Sequence, residues 1–413
     1  MFGDTGWSVT SDPKAPLVLH RLAIAVLLLA GTLPANATSL REAFEAAVAL
    51  NPELRSLEAQ RAVIDARHRG ADALTPGAPS VGLGYASDRF TQNRGFKEAE
   101  VEFGVPIWLP GQARAQRGLA DAESRRLAAQ IAARRLVVAG EVRDAYWAWA
   151  MAEAALTAAR ARAGASGALA RDVARQARGG QLSRAEDLLA GADAREGEAG
   201  LREAEATLRD ARLAFRALTG RDPLPGWRDD VREAEAPAEH PRLAAAKLGI
   251  DVARAGARVA IVEDRESPEL GVFMRQEQDE RGAGWDTRLG VRVRIPFAHP
   301  PRNAERRAVA NGELTTATAE ASAVERALAA ERERARAGLA DARAAARLTE
   351  QRYSSLAQAA GLGERALREG QVGLAETLRS RAGVAAADAA RRQAQVALRR
   401  AASRYNQAFG VEP

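Results

Sequence analysis

The chain repeats itself once, with an offset of about 190 residues. Asn51-Pro52-Glu53-Leu54 recurs as His240-Pro241-Arg242-Leu243, and Pro79, ahead of an alternating stretch, recurs as Pro268 ahead of another. Val105-Pro106-Ile107 returns as Ile295-Pro296-Phe297, Ala115-Gln116-Arg117 as Ala304-Glu305-Arg306, and Gly180-Gln181-Leu182 as Gly370-Gln371-Val372. Each half closes on a glycine, Gly220 or Gly410. The order is the same both times: short helix, two strands, long helix, tight turn, long helix. Solenoid units run about 20–50 residues, so this longer period marks one supersecondary unit duplicated within a single architecture. The two halves are expected to do the same mechanical job. The spacing divides the chain into a first unit over 38–225, a linker over 226–239 and a second unit over 240–413.

An export signal precedes the first unit. Arg21 leads into the apolar run Leu22-Ala23-Ile24-Ala25-Val26-Leu27-Leu28-Leu29-Ala30, and Ala35-Asn36-Ala37 supplies an A-x-A pattern, so residues 1–37 read as a cleaved signal peptide. The run is shorter than the roughly 20 residues of a spanning helix. The chain has no cysteine. That removes disulfides and thiolate metal sites, and no N-terminal lipid anchor is expected. The net charge of +6 comes almost wholly from arginine. These arginines alternate with Asp and Glu along helices, which reads as solvated helix faces and not as a nucleic-acid patch.

Each half holds one pair of alternating segments, predicting β-hairpins over 79–107 and 268–297. Val81, Leu83 and Tyr85 oppose Gly82, Gly84 and Ala86, while Val101, Phe103 and Val105 oppose Glu100, Glu102 and Gly104. Leu270, Val272 and Met274 alternate with Gly271, Phe273 and Arg275, and Leu289, Val291, Val293 and Ile295 alternate with Arg288, Gly290, Arg292 and Arg294. Period two suits strands with one apolar and one polar face. Two placements compete. A soluble protein could pack the apolar face on a helical core, whereas a transmembrane barrel would turn it to lipid and its charges to a watery lumen. On the barrel reading Arg288, Arg292 and Arg294 line the lumen. Four strands cannot close a barrel, since about eight is the smallest workable number, and an open edge in lipid is forbidden. The barrel reading therefore demands several chains.

From about Gln112 to Arg178, and again from about Asn303 to Glu369, no proline interrupts the sequence. Each run predicts a helix of roughly 100 Å at about 1.5 Å per residue. Leu127, Ile131, Val138, Val142 and Trp149 form a narrow coiled-coil-like seam along the first. Shorter helices return over about Ser183–Leu218 and Gly373–Phe409, closing helical hairpins over 112–219 and 302–410. Leading helices over about Ser39–Ala73 and Pro241–Glu263 are expected to stack end to end with them. A soluble coiled-coil structural rod without a pore is the rival from another class, and both the export signal and the strand pairs weigh against it.

In order and duplicated spacing these residues resemble the TolC-like outer-membrane efflux factors over essentially the whole mature chain. The match rests on Asn51-Pro52-x-Leu54, on Val105-Pro106-Ile107 with Gly111 and Arg114, and on the turns Gly180-Gln181-Leu182-Ser183 with Leu188 and Gly370-Gln371-Val372-Gly373 with Leu378. The resemblance implies a mainly α protein with a transmembrane β-barrel. Three copies, a homotrimer, would share twelve strands in outer-membrane lipid above a long α-helical periplasmic tunnel. It also implies a passive exit duct docked by a periplasmic adaptor and an inner-membrane pump of the resistance-nodulation type. The overall pattern looks closest to the branch serving heavy-metal cation efflux, with multidrug efflux or type I secretion as the alternative. Adaptor docking falls on the tips Gly180, Gln181, Leu182, Gly370, Gln371 and Val372. The family's acidic aperture ring falls on Glu186 and Glu376, with Asp187 and Arg379 as neighbours. A plainer reading makes Glu186 and Glu376 first-turn acids favoured by the helix dipole. The tyrosine and arginine that often latch such apertures have no counterpart, Leu367 and Val372 standing there.

No enzyme is expected, and no cofactor. The histidines at 20, 68, 240 and 299 are far apart, and neither a G-x-S-x-G elbow nor a Walker loop occurs.

Overall fold

A computed structural model of the protein describes residues 40–413 apart from 227, 228 and 370. The signal segment over 1–37 lies outside these residues, as does the turn glycine Gly370. In chain order the elements are helices α1 (Leu40–Leu50) and α2 (Pro52–Ala71), strands β1 (Ser80–Ser87) and β2 (Lys97–Pro106), and helices α3 (Gln112–Arg178) and α4 (Arg184–Thr219). The second unit repeats the plan with α5 (Pro241–Val262), β3 (Glu269–Gln278), β4 (Asp286–Arg294), α6 (Pro300–Arg368) and α7 (Leu374–Ala408).

The leading segment over 39–73 corrects the expectation of one helix. It is two helices, because Pro52 has no N–H to continue α1 and its ring clashes with the preceding turn. Asn51 instead caps α2, its Oδ1 accepting from Leu54 N at 3.0 Å. The repeated His240-Pro241 is the same device: His240 Nδ1 accepts from Arg242 N at 3.2 Å and Pro241 opens α5. Helix α6 likewise starts earlier than the expected Asn303, at Pro300, since proline is tolerated in a first turn where N–H groups lack partners anyway.

The two hairpins form one antiparallel sheet in the order β1-β2-β3-β4. The central β2–β3 pairing joins the repeats, with Glu102 opposite Phe273 and Gly104 opposite Gly271. β1 and β4 keep one free edge each within the chain.

The core lies partway along the helices. Val138, Val142, Tyr146, Trp147 and Trp149 of α3 pack against Leu40, Ala43, Phe44 and Ala47 of α1, and against Phe215 of α4. Leu127, Val138, Val142 and Trp149 of the expected seam are buried, while Ile131 is partly buried against this core. The return helices end beside the leading ones. A Cβ on Gly220 would sit 3.6 Å from Leu50, and one on Gly410 3.1 Å from Pro241. Both glycines hold positive φ, 68° and 83°, which an L side chain resists.

The linker is anchored through a buried polar cluster that the sequence pattern did not single out. Asp229 accepts from Arg143 Nε of α3 at 3.1 Å, and from Ser403 Oγ at 2.8 Å and Asn406 Nδ2 at 2.7 Å, both of α7. Arg143 also donates to Gln407 Oε1 and to the Val411 carbonyl. Linker, C-terminal tail and both units thus meet at one carboxylate. Among the described residues no helix is long and apolar enough to cross a membrane.

Candidate channel sites: the sheet faces and the helical tips

Alternation along the strands places every large apolar strand side chain except Phe273 on one face of the sheet. Across that face Val81 pairs with Phe103, Phe103 with Val272 and Val272 with Val291; Leu83, Val101, Met274 and Leu289 form the next row. All of these side chains are exposed, Leu83 and Leu289 at 80%. The placement that would pack this face on a helical core is therefore not realised. Burying such a face from water is worth about 25 cal/mol per Å², so an apolar environment is strongly favoured for it.

The opposite face carries Arg288, Arg292 and Arg294, as the alternation required, but the arginines are not bare. Arg292 binds Glu100 at 2.8 Å and also Glu102, both on β2, two strands away. Arg275 binds Glu100 at 2.5 Å and Glu98 at 3.4 Å. Arg288 meets Glu277 at 2.5 Å, and Arg294 reaches Glu269 only at 3.6 Å. Sequence reading placed Glu100 and Glu102 on this face without assigning them partners. The reach of Arg292 across β3 depends on Gly271, which stands between: a Cβ there would lie 3.0 Å from Glu102 Oε1.

Phe273 is the exception on the charged face. The Arg292 and Arg275 guanidiniums lie 4.9 and 5.7 Å from its ring centre. Its cross-strand neighbour is Gly290, where any Cβ would collide with the ring. The face is thus a paired Glu–Arg ladder with one clamped aromatic.

The tips lie at the other end of α3, roughly 100 Å from the sheet by helix length. Helix α3 ends in a Schellman turn. Gln181 N donates to Gln176 O at 2.9 Å and Gly180 N to Ala177 O at 3.1 Å, with Gly180 at φ 74°. The second tip repeats the long bond, Gln371 N to Ala366 O at 2.8 Å. Gln181 and Gln371 are exposed. Leu182 is not displayed as expected. It is half-buried on Val173 and Ala190, and Leu378 of the other tip packs on the same pair. Val372 is also half-buried.

The acidic positions divide. Glu186 completes a capping box: Ser183 N and Ser183 Oγ donate to its Oε2 at 2.8 and 2.9 Å, while Ser183 Oγ accepts from Glu186 N at 3.3 Å. Those bonds, the one from the Ser183 backbone first, hold its carboxyl below the usual range. The cap is therefore complete above the ordinary glutamate pKa and is lost as the pH falls through the lowered value. Glu376 has no such cap, because Gly373 stands where Ser183 would. Asp187 pairs with Arg184 in its own turn, and Glu376 and Arg379 are exposed. Among the described residues no group of His, Asp or Glu has the geometry to hold a metal ion.

The same chain trace is found in solved structures of membrane proteins, among them outer-membrane channels such as CmeC of Campylobacter jejuni. VceC of Vibrio cholerae superposes with a TM-score of 0.71 at 17% identity, covering 90% of this chain and 96% of that one. CusC, a protein that forms a transmembrane channel, gives 0.74 at 14% identity over 91% and 93%. A membrane protein of Pseudomonas aeruginosa gives 0.73 at 16% identity over 90% of each. This is the fold of an outer-membrane channel. No family model matches the sequence, and no curated protein matches it in a sequence search. The resemblance read from the repeated motifs is thus met at the level of the fold, where sequence identity is too low to carry it.

Proposed function

We propose that the protein is a passive exit duct of the outer membrane, assembled from three copies and joined at its tips to a periplasmic adaptor and an inner-membrane pump. The observation that carries this reading is the sheet: an exposed apolar face, a charge-paired opposite face and two unpaired edges in one chain. Lipid satisfies the first, a water-filled lumen the second, and strands of neighbouring copies the third. Twelve strands suffice for a lumen where four do not. The long helical hairpins then extend the lumen into the periplasm.

The protein is expected in outer-membrane fractions as a heat-resistant trimer that conducts ions across planar bilayers. Recovery as a soluble, non-conducting monomer would overturn the duct. The same recordings test the aperture. Glu376, uncapped at its tip, is the stronger aperture candidate, and three copies at a constriction would concentrate negative potential. Glu376→Gln should lower cation selectivity more than Glu186→Gln; equal reversal potentials in parent and both variants would leave these residues as first-turn acids. For cargo, the reading is divalent heavy-metal efflux with selectivity residing in the pump, so loss of the protein should sensitise cells to zinc, cobalt or cadmium. Sensitivity confined to dyes and antibiotics would replace it with the multidrug reading.

Docking at the tips is best probed at Gln181 and Gln371, because aspartate at Leu182 would also break the packing on Val173 and Ala190. Gln181→Glu with Gln371→Glu should abolish export in cells while the trimer survives in full amount. Undiminished export in that double variant would remove docking from the tips.

A further inference from the structure

The duplication that organises the chain also specifies how its copies join. Resting on the trimeric duct reading, we infer that β4 of one copy pairs with β1 of the next in the register of the internal β2–β3 seam, and that Arg294 bridges to Glu102 of the neighbour across Gly82. The seam already visible joins the second strand of unit one to the first strand of unit two. The missing seam joins the second strand of unit two to the first strand of unit one, which is the same junction carried one unit further round. Pro106 corresponds to Pro296 and Pro79 to Pro268, so each observed pair translates into one between copies. Phe103 opposite Val272 becomes Val293 opposite Leu83, Val101 opposite Met274 becomes Val291 opposite Tyr85, and Gly104 opposite Gly271 becomes Arg294 opposite Gly82.

Three independent features agree with that register. On the outer face Ile295 meets Val81, Val293 meets Leu83 and Val291 meets Tyr85, although nothing in the translation required it of β1 and β4; Leu289, at the far end, falls opposite Ser87. On the inner face two of the three arginines of β4 meet glycines of β1: Arg294 faces Gly82 and Arg292 faces Gly84, while Arg288 falls opposite Asp88. Behind those glycines, on β2 of the same copy, stand Glu102 and Glu100. The chain already uses this arrangement once, where Arg292 reaches Glu102 over Gly271. Arg294 is the arginine left for the new bridge, being 67% exposed and held only by the 3.6 Å contact to Glu269. A side chain at Gly82 would stand between it and Glu102, since even a Cβ there would lie 3.6 Å from the Glu102 Cβ.

The absence of cysteine allows a direct test in the full-length protein in membranes. The pair Val293→Cys with Leu83→Cys should yield covalent dimers and trimers on oxidation. Its yield should match the in-chain disulfide of Phe103→Cys with Val272→Cys, which occupies the equivalent position. Pairs shifted by two residues, Val293→Cys with Tyr85→Cys or with Val81→Cys, should yield severalfold less. Preferential cross-linking of a shifted pair, or none in a protein that still runs as a native trimer, would overturn the register and leave the duct reading standing. A monomer in the membrane would overturn both. For the bridge, Arg294→Ala and Gly82→Val should each lower the temperature at which the trimer dissociates in detergent, and together no further than either alone. Additive losses, or none, would overturn the bridge while the cross-links still report the register.

Discussion

Replacing Asp229 with alanine is expected to lower stability by about 3–5 kcal/mol, the usual range for removing one partner of a buried ion pair. The carboxylate is the common acceptor of Arg143, Ser403 and Asn406, and both charged side chains are only 3% exposed. Without it the Arg143 guanidinium stays buried with its Nε unpaired, as does the Ser403 hydroxyl. Each such group loses its hydration without compensation. The damage falls where the linker over 226–239 crosses between α3 and α7, so the two units should loosen from each other first. Midpoints of chemical unfolding in detergent give the measurement. Asp229→Asn, which keeps one acceptor oxygen, should lose less. The double change Arg143→Met with Asp229→Leu should recover much of the loss, because replacing both partners leaves no orphaned charge. A double variant as unstable as Asp229→Ala would mean that shape at this point matters more than charge.

The second large effect depends on pH. His240 is 2% exposed, and burial pushes its pKa down from 6.5 to about 4, with the Arg242 and Arg332 cations adding to the shift. The Gln407 backbone opposes it only weakly. A base whose folded pKa is depressed resists protonation in the folded state. Its contribution is therefore intact above pH 6.5, declines as the pH falls towards 4, and changes no further below that. At about 1.4 kcal/mol per pKa unit the full loss is on the order of 3 kcal/mol. Asn51 caps the equivalent helix in the first unit without titrating, so His240→Asn should keep the α5 cap and remove this part of the acid sensitivity. Unfolding midpoints at pH 7 and pH 4.5 should draw apart less in the variant than in the parent. Identical differences would show that protonation of His240 costs the fold nothing.

Local chemistry carried much of this architecture. The proline-free run over 112–178 gives α3 its extent because helix formation needs little beyond propensity and an unbroken hydrogen-bond ladder. The alternation of Val81, Leu83 and Tyr85 with small residues marks a strand for a reason equally local. The break at Asn51-Pro52 is legible too, since an asparagine before a proline is a cap followed by a first-turn residue, although the segment over 39–73 was expected as a single helix. At the tips Gly180 announced the reversal of the chain. It did not show that Leu182 would turn inwards, because that depends on Val173 and Leu378, residues of other segments.

What only the tertiary structure decided lies in contacts between distant parts of the chain. Alternation gives each strand two faces but does not say what covers them; that the face of Leu83 and Leu289 is left open emerges only once every helix has found its packing elsewhere. Along the sequence Arg292 reads as a lumen-lining charge and Glu100 as a residue of a strand's polar face, with no partner for either. They become a pair because β2 and β4 flank β3 in a register in which Gly271 leaves the space between them clear. Asp229, in a linker to which the sequence assigns no contacts, is buried, its desolvation offset by donors from two helices that the sequence does not bring near it. The repeat was therefore determined by sequence alone, because it is a pattern along the chain. Which carboxylate meets which guanidinium was determined by register and burial, because these exist only after the chain has folded back on itself.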